Sequence, residues 1–155
     1  MPLDKLISFL DQNKVKYLVI KHSPAYTSQE IAELAHIPGK ELAKTVILNM
    51  DGKLAMAVLP ASYHVDFQLL EEATGATRLS LASEDDFNQL FNDCETGAMP
   101  PFGNLYGIAV YVAKSLTEDT EIFFNAGNHS ELIRMSYKDY ERLVKPNILK
   151  FSESN

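Results

Sequence analysis

The sequence predicts an α+β fold built around a curved, mixed and largely antiparallel β-sheet, barrel-like in form and surrounded by short helices. Two apolar runs, Thr45–Met50 and Lys53–Leu59, are joined by Asp51-Gly52, which is a strong signal for a two-residue hairpin turn. Further β-prone runs are interspersed with short segments of helical periodicity. Antiparallel hairpins mixed with short helices are typical of the α+β class.

The segment before this hairpin predicts two helices and one strand. Apolar residues at helical spacing predict the first helix: Leu3, Leu6, Ile7 and Leu10. The run Tyr17–Ile20 predicts a short strand. A capping-box pattern at Thr27–Glu30 predicts a second helix that continues to about Ala35 and is ended by Pro38-Gly39.

The segment after the hairpin alternates between the two element types. The predicted helices are Val65–Ala73, a short one capped by Ser83–Asp86 that runs to Phe91, and a last one from Ser136 to about Val144. The predicted strands are Thr77–Leu81, Leu105–Ala113, Glu121–Asn125 and Leu132–Met135. The 155 residues are expected to form one domain, 1–155.

Composition and charge limit the function classes. The chain has no charged-then-apolar leader and no apolar run long enough to cross a bilayer, and its single cysteine, Cys94, fits a reducing compartment. We therefore expect a cytoplasmic protein with no membrane partner.

The net charge of −7 disfavours a protein that tracks many phosphates, so no DNA partner is expected. Any contact with nucleic acid must be small or confined to local basic patches. Two candidate patches are present: Lys14, Lys16 and Lys21, and Arg134, Lys138, Arg142, Lys145 and Lys150. One acidic cluster would repel phosphates or form a solvated face: Glu84, Asp85, Asp86, Asp93 and Glu95.

The loop Asn92–Asn104 is the strongest functional signal. It carries two glycines and two prolines between apolar segments, and loops of this length are usually functional or disordered. Met99 and Phe102 argue against disorder, because they are costly to expose. A stiff loop that presents backbone N–H groups can hold a carbonyl oxygen or a phosphate, although it could equally be an ordered turn that caps a sheet.

Standard catalytic motifs are absent. The sequence has no nucleophile elbow, no phosphate-binding loop, no dinucleotide fingerprint and no metal-ligand spacing among its four histidines, so neither a metal nor a cofactor is expected. Carboxylates around Cys94 would raise the pKa of its thiol and keep it unreactive. Taken by itself, Lys44 is either a solvated residue at the end of a strand or a cation that reaches into a pocket. His129, taken by itself, is either a turn residue or a catalytic residue.

Three blocks, taken together and in order, resemble the YbaK family of aminoacyl-tRNA deacylases, which is related to the editing domain inserted in bacterial prolyl-tRNA synthetases. The blocks are Lys44–Leu48, Gly97–Gly103 with its Gly-x-x-x-Pro core, and Asn125–His129. The resemblance covers nearly the whole chain. It implies a mixed-sheet domain that hydrolyses the ester between a wrong amino acid and the 3′ adenosine of a tRNA.

The resemblance also implies roles for individual residues. Backbone N–H groups around Gly97 and Ala98 would hold the ester carbonyl, Pro101 would fix the loop, and Lys44 would anchor the aminoacyl group or the adenosine. With His129, these form the predicted catalytic set. The predicted substrate contacts are His22, Thr45, Met99, Phe102, Gly103 and Asn128. No side chain is an obvious general base, which fits the family's proposed use of the tRNA 2′-hydroxyl.

One block departs from the family pattern. Members that edit alanyl-tRNA typically carry Phe-His-Pro where this chain has Asn125–Ser130, so the amino acid removed stays open within a small-residue class of alanine, serine, cysteine or threonine. The expected partners are the 3′ end of aminoacyl-tRNA, tRNA-Pro first, and a prolyl-tRNA synthetase. Two alternatives remain: a non-catalytic module that binds the tRNA 3′ end or a synthetase, and a hydrolase of another small acyl ester or thioester.

Overall fold

The computed structural model describes residues 3–24, 37–38 and 40–154. Within them the chain forms ten strands: β1 (Tyr17–Lys21), β2 (Ala43–Met50), β3 (Lys53–Pro60), β4 (Tyr63–Val65), β5 (Leu79–Leu81), β6 (Ala109–Ala113), β7 (Glu121–Asn125), β8 (Glu131–Ser136), β9 (Asn147–Leu149) and β10 (Ser152–Ser154). The same residues form four α-helices: α1 (Asp4–Gln12), α2 (Phe67–Thr74), α3 (Glu84–Phe87) and α4 (Tyr137–Val144). Two 3-10 helices lie at Gly103–Leu105 and Lys114–Glu118.

The strands form three sheets. The largest has the order β5-β2-β3-β6-β9, the second β1-β8-β7, and the third pairs β10 with β4. Only the β3–β6 and β6–β9 pairs are parallel among these. A bridge between Leu42 and Phe123 joins the start of β2 to β7 and so links the two larger sheets. This confirms the α+β class and the mixed, largely antiparallel arrangement, and the described sheets do not close into a barrel.

The main core lies between the helices and one face of each larger sheet. Helix α1 buries Leu6 and Leu10 against it, in the apolar spacing that predicts this helix. Phe102 lies at its centre, in ring contact with Phe124 of β7 and Tyr140 of α4. The loop that carries Phe102 is therefore anchored by the core of the protein.

Most predicted elements are present, with shifted ends. The hairpin of β2 and β3 is confirmed, with Asp51 and Gly52 both at positive φ in the turn. The helix predicted at Val65 begins at Phe67 instead, because Asp66 caps it by accepting the Leu69 N–H at 3.0 Å.

Three other predicted elements are shorter than expected, and the first is the strand predicted over Thr77–Leu81, which forms only over Leu79–Leu81. The strand predicted over Leu105–Ala113 begins at Ala109, because a 3-10 helix occupies Gly103–Leu105 and Gly107 takes φ +71°. The helix predicted to reach Phe91 ends at Phe87.

Three short strands, β4, β9 and β10, are not predicted by the sequence. The helix predicted from Thr27 to Ala35 lies outside the described residues. No helix in the described part of the chain is long and apolar enough to cross a membrane.

Candidate active site

The loop Asn92–Asn104 contains a tight turn that requires glycine. The Ala98 N–H donates to Glu95 O at 3.0 Å, and Gly97 takes φ +84° as the third residue of this four-residue turn. That geometry is a type II turn, in which the third position favours glycine. The Ala98 N–H is therefore already used, whereas the Gly97 N–H donates to none of the described residues. Of the two backbone N–H groups, that of Gly97 is therefore the one available to a ligand oxygen.

Three hydrogen bonds hold this loop against the segment that joins β7 to β8. The Glu95 N–H donates to Gly127 O at 2.8 Å, and the Gly127 N–H donates to Ala98 O at 3.1 Å. The Glu95 carboxylate accepts the His129 N–H at 2.8 Å. Sequence analysis assigns Glu95 to a repelling or solvated acidic cluster, but the structure makes it the tie between two blocks of the predicted site.

His129 lies beneath the glycine turn. Its residue is 7% exposed, and its Nε2 is 2.7 Å from Thr96 O. A carbonyl oxygen only accepts, so Nε2 carries the hydrogen and cannot take a proton from water in this arrangement. A Cβ built at Gly97 would lie 3.5 Å from His129 Cε1. His129 therefore supports the turn, and a side chain at Gly97 would point toward that ring.

The proline half of the loop is fixed by the core. Pro101 O accepts the Tyr140 hydroxyl at 2.7 Å, and the Tyr140 side chain is fully buried. The sequence predicts Met99 and Phe102 as substrate contacts. In the structure Met99 is 6% exposed and Phe102 is 0% exposed, and both side chains belong to the main core, where they stabilise the loop.

Gly103 and Asn128 also have structural partners. A Cβ at Gly103 would lie 2.6 Å from Val110 Cγ2, so close packing requires glycine at this position. The Asn128 side chain donates to Glu131 Oε1 at 3.0 Å and accepts the Ser130 N–H at 2.9 Å. Its amide is therefore engaged in shaping the turn between β7 and β8.

Lys44 is half-buried in β2. Burial lowers the pKa of its ammonium group, and it forms no ion pair with a carboxylate of the described residues. A partly desolvated cation without a counter-charge favours an anionic or polar ligand. Because side chains alternate along a strand, Thr45 faces the opposite side of the sheet from Lys44.

The strand register places Lys44 near the end of the three-stranded sheet. Leu42 is bridged to Phe123 in parallel, and extending this alignment by two residues along both strands would bring Lys44 beside Asn125 at the end of β7. Asn125 Oδ1 is buried and accepts no hydrogen bond from the described residues. At the neighbouring end of β1, the His22 N–H donates to Ser130 O at 2.9 Å, and His22 Nδ1 is 2.7 Å from Ser23 O.

One end of this sheet therefore gathers the predicted residues. His22 and the glycine turn are both hydrogen-bonded to the segment where β7 ends and β8 begins, and the extended alignment of β2 with β7 directs Lys44 toward the same segment.

Cys94 is not part of this arrangement. Burial raises the pKa of its thiol to about 11, and its Sγ is 3.4 Å from the Tyr106 hydroxyl and 3.5 Å from Asp93 Oδ1. The predicted direction of the shift is confirmed, with burial rather than the carboxylates as its main cause. Within the described residues no group of three or more histidine, cysteine or acidic side chains could hold a metal ion.

Comparison with known proteins gives three consistent matches. The model of the aminoacyl-tRNA editing domain family matches residues 22–143. The prolyl-tRNA editing protein ProX of Acetoanaerobium sticklandii is 30% identical over 149 residues, covering 92% of this chain and 90% of that protein. The multifunctional Ser/Thr-tRNA deacylase ProXp-y of Escherichia coli K12 is 27% identical over 152 residues, covering 95% of this chain and 90% of that protein.

A solved structure described as a candidate trans-editing enzyme for prolyl-tRNA synthetase shares the fold. Its TM-score is 0.83 at 16% identity, covering 97% of this chain and 96% of that one. The chain belongs to the aminoacyl-tRNA editing domain family, and the resemblance seen in its sequence is confirmed.

Proposed function

We propose that this chain is a cytoplasmic, single-domain deacylase that acts in trans on mischarged tRNA. It hydrolyses the ester between a small amino acid, of the alanine, serine, cysteine or threonine class, and the 3′ adenosine of tRNA-Pro, and it works beside a prolyl-tRNA synthetase. The named activities of two relatives, on prolyl-tRNA editing and on Ser/Thr-tRNA, support both the reaction and the substrate class.

Two features support this proposal: the half-buried cation Lys44 and the glycine turn at Gly97. Lys44 is a half-buried cation with no carboxylate partner among the described residues. His129 stiffens the turn through Thr96 O, and the Gly97 N–H donates to none of the described residues. Ester hydrolysis needs a donor at the developing oxyanion and an anchor for the substrate, and these two groups supply them.

The reaction follows from these assignments. Water attacks the ester carbonyl carbon while the Gly97 N–H binds the carbonyl oxygen as it gains negative charge. The bond from the carbonyl carbon to the 3′ oxygen then breaks, and the proton that the attacking water loses passes to that oxygen, which gives a free tRNA end and a free amino acid. In this proposal the tRNA 2′-hydroxyl organises the attacking water, and His129 Nε2 does not, because that nitrogen donates to Thr96 O.

Selection for a small acyl group falls on the face that carries Lys44. Phe123 provides partly exposed apolar surface on that face, and Asn125 Oδ1 provides a buried acceptor without a partner among the described residues. This acceptor suits the ammonium group or the hydroxyl of a seryl or threonyl ester. A site that hydrogen-bonds a substrate hydroxyl discriminates far more strongly than an apolar pocket does.

A panel of mischarged tRNAs tests the proposal. Release of alanine, serine, cysteine, threonine and phenylalanine would be compared at equal enzyme concentration, beside a small aminoacyl ester that lacks the tRNA. We expect release of one or more small residues from tRNA, with phenylalanine retained. Binding of tRNA without release would indicate the non-catalytic module, and preference for the free ester would indicate a different acyl hydrolase.

A further inference from the structure

The two ring nitrogens of His22 lie in different environments. Nδ1 is 2.7 Å from Ser23 O, and a carbonyl oxygen only accepts, so Nδ1 carries the hydrogen. In the neutral ring Nε2 is then an acceptor. Nε2 is buried and has no hydrogen-bond partner among the described residues. Buried polar atoms in proteins are hydrogen-bonded in the great majority of cases, so this nitrogen suits the hydrogen of a ligand.

Backbone hydrogen bonds place His22 beside the segment that supports the glycine turn. The His22 N–H donates to Ser130 O at 2.9 Å, which continues the antiparallel pairing of β1 with β8 beyond their last paired residues. Ser130 follows His129, whose Nε2 donates to Thr96 O next to Gly97. The two histidines therefore lie at the same end of the sheet, and they differ in the role of Nε2: His129 donates from it, and His22 can accept at it.

The side chain of His22 shares a face of the three-stranded sheet with Asn125. Side chains alternate along a strand, so His22 faces the same side as Ile20. Ile20 is paired with Leu132, and Leu132 is paired with Asn125. Side chains of directly paired residues lie on one face. This face therefore carries two buried acceptors, His22 Nε2 and Asn125 Oδ1, that have no partner among the described residues.

The 3′ end of an aminoacyl-tRNA presents donors that match these acceptors. The aminoacyl group has an ammonium group, and the terminal ribose has a 2′-hydroxyl beside the ester. A hydroxyl has one hydrogen and two lone pairs. When its hydrogen is bound by an acceptor on the protein, its rotation is fixed and its lone pairs are left to accept from the attacking water.

We propose that His22 Nε2 accepts the hydrogen of the 2′-hydroxyl of the terminal adenosine. This inference rests on the proposed function, in which that hydroxyl organises the attacking water. The contact gives the substrate hydroxyl a fixed orientation, and such orientation of a reacting group lowers the barrier by supplying the correct geometry in advance.

The test combines variants of His22 with removal of the 2′-hydroxyl. His22→Asn keeps a donor at the reach of Nδ1 and has no atom at the reach of Nε2, whereas His22→Gln can place an amide oxygen there. The matched control His64→Asn changes an exposed histidine in β4. Each protein is assayed on tRNA-Pro that ends in adenosine or in 2′-deoxyadenosine, mischarged with the small residue that the wild type releases fastest. Thermal unfolding checks that each variant is folded.

On the adenosine substrate we expect the kcat of His22→Asn to fall about tenfold, and that of His22→Gln to recover most of this loss. On the deoxyadenosine substrate the wild type should be slow, and His22→Asn should match it within about twofold, because the group that the ring contacts is then absent. His64→Asn should match wild type on both substrates.

Four outcomes would overturn the inference and leave the deacylase activity standing. They are an unchanged rate of His22→Asn on the adenosine substrate, an equal fractional loss on both substrates, a rate of His22→Gln no higher than that of His22→Asn, and equal hydrolysis of the two substrates by the wild type. An equal fractional loss would assign the ring to the fold or to the ammonium group. No release from any mischarged tRNA by the wild type would overturn the proposed function, and this inference with it.

Discussion

Replacement of Tyr140 by phenylalanine removes a side-chain hydrogen bond that ties α4 to the proline half of the loop. The Tyr140 hydroxyl donates to Pro101 O at 2.7 Å in a fully buried setting. Without it, the carbonyl loses its partner where water cannot replace it. Leaving a buried acceptor unsatisfied costs about 1–3 kcal/mol in the free energy of unfolding. For a chain of this length each kcal/mol lowers Tm by about 2–4 °C.

Thermal and urea unfolding of Tyr140→Phe would measure this cost. Tyr137→Phe is the matched control on the same helix, because the Tyr137 hydroxyl donates to Glu141 Oε1, in the same helix, at 3.0 Å. We expect the Tyr140 variant to be the less stable of the two and to lose deacylase activity as the loop loosens. Equal stability of the two variants, with full activity in Tyr140→Phe, would refute the anchoring role of this bond.

Three further predictions concern the turn, the thiol and a buried carboxyl. Gly97→Ala should lose about 1–2 kcal/mol of stability, because Gly97 has a positive φ, and it should also lose most of its deacylase activity. Gly75→Ala, also at a positive φ but at the end of α2, should lose stability and keep its activity. Equal deacylase activity in the two variants would contradict this prediction. Cys94→Ser should keep wild-type kcat/KM, because a thiol with a pKa of about 11 is protonated at neutral pH, and a large loss would revive a thiolate mechanism. Burial, with Glu41 nearby, raises the pKa of Asp119 to about 6. The folded state therefore holds this proton more tightly than the unfolded state, and the stability of the wild type falls as pH rises from about 4 to about 6. Asp119→Asn should have a higher Tm than wild type at pH ~7.5 and no advantage at pH ~4, as measured by thermal unfolding.

The sequence predicts the elements whose signals are local. The apolar spacing of α1 and the Asp51-Gly52 turn lie within a few residues of the structures they specify. Strands β4, β9 and β10 carry no such signal, because each is three residues long and exists through pairing with a distant strand. Residues Tyr63–Val65, for example, form β4 only because Ser152–Ser154 lie beside them.

The residues of the candidate site also differ in whether a local sequence signal marks them. Lys44 and the loop around Gly97 stand out in the sequence as a cation before an apolar strand and a cluster of glycines and prolines. Glu95 does not, because its role comes from a bond to His129, 34 residues away. The core position of Phe102 is hidden in the sequence for the same reason, because it depends on packing against Phe124 and Tyr140, which are distant along the chain.

The central claim is that tRNA ester hydrolysis depends on Lys44, which lies in β2 of the five-stranded sheet. The most direct measurement is the rate of serine release from mischarged tRNA-Pro by wild type and by Lys44→Ala, with the fold of both checked by thermal unfolding. The account predicts hydrolysis by wild type and a loss of at least about tenfold in the folded variant, which corresponds to ~1.4 kcal/mol of transition-state stabilisation. Equal rates in two folded proteins would contradict it.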